Sequence, residues 1–83
     1  MNLKVRYFAS VREAVGQGGE TLQTSATTLA ALRDELIARG EPYAGALARG
    51  KAVRMALDQA LCDESAPLRE GAEVAFFPPV TGG

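Results

Sequence analysis

One stretch of this 83-residue chain decides most of what it can fold into. TTLAALRDELIARG, residues 27–40, is the segment whose apolar positions keep helical spacing through several turns. Thr28 stands where an N-cap accepts a backbone N–H, and Leu29, Leu32 and Leu36 fall on one face. Glu35 and Arg39 are spaced as an i,i+4 pair on the solvent side. Gly40 supplies a left-handed stop, and Pro42 opposes continuation beyond a short helical turn within residues 42–49. One main helix has one apolar stripe to bury. The rest of the chain must supply a sheet for it to lie on.

The remaining patterns are short and alternating. From Leu3 to Ala9, Leu3, Val5 and Tyr7 point one way while Lys4, Arg6 and Phe8 point the other. A polar loop is expected from Arg12 to Gly19, followed by a short strand near Glu20 to Thr24. VGQGGE lacks the GK[ST] continuation of a phosphate loop and reads as a turn. Val53 to Asp58 alternates with Val53, Met55 and Leu57 on one side. Asp58-Gln59 turns the chain into a brief return strand at Ala60 to Cys62. A loop from Pro67 to Gly71 precedes the last strand, Glu73 to Phe77. The order ββαβ(β)β predicts an α+β domain over residues 1–77: a mixed sheet of four to five strands with one main helix on one face. Residues 78–83 form a tail.

Composition narrows the chemistry. Nine basic and ten acidic residues leave a net charge of −1, without the clustered basic excess of a nucleic-acid surface. The chain has no histidine, so it lacks the commonest general base and the commonest metal ligand. Its one cysteine cannot form an internal disulfide or a CxxC knuckle. No segment reads as a signal peptide or membrane span, so a cytoplasmic protein is expected. Cys62 reads as a small, partly buried core thiol. Asp58, Asp63 and Glu64 read as a turn and a solvated charge group, not a metal site. Any chemistry falls to carboxylates, the thiol or the chain end.

In the last strand Val74 and Phe76 share one face, and Ala75 and Phe77 the other. With Leu3, Val5 and Tyr7 under the helix, Phe8 is left on the helix-free face. If the first and last strands are neighbours, Phe8 and Phe77 lie close together there, and Leu61 can join them. A lone exposed phenylalanine needs no purpose. Two or three such residues at the root of the tail read as a docking patch. Arg12 at its edge is either a rim contact or a solvated charge. Pro78 and Pro79 lack an N–H, and Val80, Thr81, Gly82 and Gly83 add little bulk. Extended, the tail reaches about 20 Å. It can enter a narrow channel and present the Gly83 carboxylate. That carboxylate is inert until a partner converts it to an acyl-adenylate, from which a sulfur nucleophile displaces the nucleotide to give a thiocarboxylate. Gly-Gly alone is also what a frayed end looks like.

The ending FFPPVTGG, together with KVRYFASVRE near the start, TTLAALRDELIARG and GAEVAFFPPVTGG, resembles the small subunits of molybdopterin synthase, within the ThiS/MoaD sulfur-carrier family. The likeness covers essentially the whole chain. SATT before the helix and GQGG in the first loop are not distinctive of the family. The resemblance implies a ubiquitin-like β-grasp fold and a non-catalytic, sulfur-donating subunit that binds no cofactor. It implies a cycle in which an adenylyltransferase uses ATP to activate Gly83 and a sulfur donor system forms the thiocarboxylate. The tail then enters the large synthase subunit, and the assembly is a heterotetramer. Two sulfurs, from successive carriers, build the molybdopterin dithiolene. It further implies that Phe8, Leu61 and Phe77 meet the large subunit, with Arg12 as a basic contact. Two other readings remain: a related carrier for thiamin or tRNA thiolation, and a ubiquitin-like modifier or interaction domain.

Overall fold

Alternation at both ends of the chain pays off in a single sheet. The computed structural model describes residues 1–79. Strand β1 (Asn2–Tyr7) is followed by helix α1 (Ala9–Val15), β2 (Gly19–Gln23), α2 (Leu29–Ala38), α3 (Tyr43–Ala46), β3 (Arg54–Leu57), β4 (Ala60–Cys62) and β5 (Glu73–Phe77). The strand order is β2-β1-β5-β3-β4. β1 and β5 pair in parallel, and the other neighbours are antiparallel. The first and last strands therefore sit side by side at the centre, as the docking-patch argument required.

The inner face is dry. Leu3, Val5, Tyr7, Val74, Phe76 and Met55 pack with Leu29, Leu32 and Leu36 of α2 in one buried cluster. The Thr28 hydroxyl accepts the Ala31 N–H at 3.2 Å, capping α2 as its sequence predicts. Gly40, at φ 88°, takes the left-handed conformation beyond its C-terminus. The two-residue connection between β3 and β4 places Asp58 and Gln59 at positive φ, as a primed hairpin turn requires.

Three expectations need correction. The polar loop from Arg12 to Gly19 is helical in its first part, because α1 runs to Val15. Its apolar signal is only Val11 and Val15, one turn apart and both buried, which is too short a pattern to register as periodicity. As a consequence the first strand stops at Tyr7, and Phe8 holds the extended N-cap position of α1. Second, Glu35 and Arg39 do not pair. Glu35 accepts the Thr24 hydroxyl at 2.7 Å, while Arg39 lies 3.7 Å from Glu20 and over the Tyr43 ring. Partners offered by neighbouring elements outcompete an exposed pair worth a few tenths of a kcal/mol, roughly 0.3–0.5. Third, Glu64 belongs to no solvated group: it is half-buried between Arg33 and Arg49.

Candidate functional site

The register of the sheet assembles its open face row by row. Directly paired residues share a face, so Arg6, Ala75, Ala56 and Leu61 form one row across β1, β5, β3 and β4. Phe77 pairs with Arg54 in the next row. Phe8 follows β1 beside Phe77, its backbone N–H donating to the Phe76 carbonyl at 3.1 Å. Phe8 and Leu61 are the exposed large apolar side chains among the described residues, at 43% and 65% exposure. Phe8 and Phe77 share a shallow pocket of about 370 Å³ with Arg6, Ala56, Gln59, Glu73 and Ala75. The Arg6 guanidinium sits 5.5 Å from the Phe8 ring centroid and reaches Glu73 at 3.3 Å, so a charged rim borders an apolar floor.

The four residues expected at the interface do not form one cluster. Leu61 occupies the same face but lines a second depression, with Arg54, Cys62, Asp63 and Glu64 among its walls. Arg12 lies apart, on α1, its guanidinium end against Gly18 in the loop before β2. Cys62 is half-buried against the core. Asp58 ties the β3–β4 turn to the start of β5 by accepting the Glu73 N–H at 2.9 Å. Asp63 accepts from the Ser65 hydroxyl and N–H, which lowers its pKa.

The tail begins where β5 ends. Pro78 and Pro79 are half-buried. Pro78 lines a cavity of about 90 Å³ together with Ser10, Val11, Ala14, Ala46 and residues 51–53. Val80, Thr81, Gly82 and Gly83 lie outside the described residues.

Two polar centres behind this face escaped the sequence reading. Glu20 accepts from the hydroxyls of Tyr7 at 2.9 Å and Tyr43 at 2.7 Å, and from Gln17 at 3.2 Å. Burial, then the Glu20 carboxylate, push the Tyr7 phenol far above its usual range. The same carboxylate, then burial, raise Tyr43. The second centre is Arg33, 3% exposed in the middle of α2. It donates to the carbonyls of Leu47 at 2.8 Å, Ala48 at 2.8 Å and Lys51 at 3.3 Å, and to Glu64 at 3.3 Å. Burial lowers its pKa, and Glu64 opposes the shift. The available signal was positional: residue 33 lies one turn after Leu29, on the stripe that α2 buries.

Comparison with known proteins places this geometry. The model of the ThiS family matches residues 5–83. The molybdopterin synthase sulfur carrier subunit of Escherichia coli K12 is 44% identical over 81 residues, covering 98% of this chain and 99% of that protein. Subunit 1 and 2 of the molybdopterin-converting factor from Helicobacter pylori have been solved as a protein–protein complex. One chain of it matches with a TM-score of 0.69 at 27% identity, covering both chains completely. SAMP1 from Haloferax volcanii matches the fold over the full length of both chains, with a TM-score of 0.76 at 20% identity. The mixed sheet with α2 packed across it is the ubiquitin-like β-grasp arrangement.

Proposed function

The chain belongs to the ThiS family, and from that premise we propose that it is the sulfur-carrier small subunit of molybdopterin synthase. The observation that carries the reading is the 44% identity to the molybdopterin synthase sulfur carrier subunit of Escherichia coli K12 over 98% of this chain, within a family match that runs from residue 5, in β1, to residue 83. The carrier is not an enzyme by itself; it brings a reactant to a catalytic partner.

The chemistry follows from what a terminal glycine can do. The Gly83 carboxylate attacks the α-phosphate of ATP on an activating adenylyltransferase, and pyrophosphate leaves. Hydrosulfide-level sulfur from a donor system attacks the acyl carbon, the bond to the AMP oxygen breaks, AMP leaves, and a thiocarboxylate remains. The large synthase subunit accepts the tail, with Pro78 to Gly82 as the inserted segment and Gly83 at its end. The open face, with Phe8, Phe77 and Leu61 on it and Arg12 beyond its edge, is the docking surface. The two-subunit Helicobacter complex supports the choice of a large subunit as partner. A cycle that uses ATP fits a cytoplasmic protein. Without a Cβ, Gly82 and Gly83 suit a channel whose walls approach the backbone closely.

Intact-mass measurement after incubation with ATP, an adenylyltransferase and a sulfur donor tests the reading. The expected product has one terminal oxygen replaced by sulfur, and deleting Gly83 abolishes it. An adenylate that ends only as amide conjugates to lysine would make the protein a modifier instead. Formation of the pterin dithiolene with the large subunit separates this carrier from those of thiamin or tRNA thiolation.

A further inference from the structure

Arg33 is an odd residue to bury. A guanidinium removed from water contributes little net stability, and replacing a buried ion pair with apolar residues of similar volume is often neutral. Yet this one spends its donors on the carbonyls of Leu47, Ala48 and Lys51. All three belong to the connection between α3 and β3. Arg49 ties the same connection to α2 from outside, through Asp34 at 2.9 Å and the Ala30 carbonyl at 3.1 Å. The planar fork of arginine suits this task, because several acceptors are held at once in fixed directions.

What the connection does next gives the contacts a purpose. Residues 51–53 and Pro78 line the same small cavity. One residue later, Arg54 pairs with Phe77, the last residue of β5. The wall that Arg33 holds is therefore the wall beside the root of the tail. We propose that Arg33 is a positioning residue for sulfur delivery: it fixes the cavity wall beside Pro78, at the root of the tail, and hence the direction in which the chain leaves the sheet. Leverage makes this matter. A tilt of about 15° at the root moves the end of an extended tail, about 20 Å away, by about 5 Å. Reacting atoms must meet within about 3–3.5 Å. The inference rests on the carrier reading above, since only a tail that delivers something needs aiming.

The test separates aim from docking. Arg33→Met keeps the volume and removes the fork, and Val53→Ala trims the wall without touching Arg33. With thiocarboxylate-loaded protein and saturating large subunit, single-turnover sulfur transfer should slow by about tenfold or more in Arg33→Met. Val53→Ala should slow it in the same direction. The dissociation constant of Arg33→Met for docking should stay within about twofold, because Phe8, Leu61 and Phe77 are untouched. A purely structural arginine would lower the melting temperature and leave transfer in the folded variant at the wild-type rate. That result, or affinity falling as far as the rate, overturns the proposal. If Arg33→Met does not fold, Val53→Ala decides alone. Wild-type protein that never accepts sulfur would sink the carrier reading instead. Amide hydrogen exchange at Val53 and Phe77 then still decides whether Arg33 holds the root: acceleration in the variant supports it, and no change refutes it.

Discussion

Phe76 and Phe77 are consecutive on β5 and face opposite sides of the sheet. Phe76 is fully buried and stacks on Tyr7 at 6.1 Å between centroids, beneath α2. Phe77 is half-buried in an open pocket next to Phe8. The same side chain, one residue apart, thus holds the fold on one face and waits for a partner on the other. A sheet with one main helix has only one face to cover, and the chain uses what is left over.

The sharpest way to break this comparison is to truncate both rings. Phe76→Ala should cost about 3–5 kcal/mol of folding stability, because it opens a cavity beside Tyr7 and Met55, its partners in the sheet. Small domains are stable by only about 5–15 kcal/mol, so much of the margin disappears. Urea denaturation followed by circular dichroism measures it. Phe77→Ala should leave the unfolding midpoint near wild type and weaken binding to the large subunit by about 1–3 kcal/mol. Calorimetry that returns wild-type affinity would remove Phe77 from the interface.

The inner face can also be probed by pH. The folded state holds the Tyr7 proton above the ordinary phenol range, through burial and Glu20. An unfolded tyrosine ionises near pH 10. Stability from this group is therefore complete below about pH 10 and declines above it, by up to about 1.4 kcal/mol per pH unit. Tyr7→Phe should remove that share of the alkaline decline, at a cost of about 1 kcal/mol near neutrality for the lost hydrogen bond. Tyr43 is raised in the same direction, so part of the slope remains. Urea midpoints at about pH 8 and about pH 10.5 check the difference; an unchanged slope would mean that Tyr7 ionises equally in both states.

Legibility follows the same division. Alternation in Leu3–Tyr7 and Val74–Phe77 was enough to assign faces, because a period of two leaves no freedom once one side is buried. The capped leucine stripe was enough to place α2. What alternation could not show was how far each strand runs. α1 takes over at Ala9 on the strength of two valines, and that moved Phe8 from a strand position to a cap without taking it off the open face. Long-range polar contacts were hidden altogether. Arg33 meets carbonyls 14–18 residues away and Glu64 at a separation of 31, so no local pattern announces them. Arg12 was read at the patch edge as either a rim contact or a solvated charge, and the helical turn after Phe8 carries its side chain toward Gly18.

The smallest effect is expected at Leu61, and it tests where the docking patch is centred. Leu61 lies on the three-residue edge strand β4, 65% exposed, and lines the neighbouring depression instead of the Phe8–Phe77 pocket. Residues at a rim contribute less than anchors in a desolvated centre. Leu61→Ala should therefore change folding stability by no more than about 0.5 kcal/mol and weaken binding to the large subunit by about 1 kcal/mol or less. A calorimetric loss exceeding that of Phe77→Ala would invert the ranking. The centre of the interface would then sit over β3 and β4, and the phenylalanines at the tail root would be its margin.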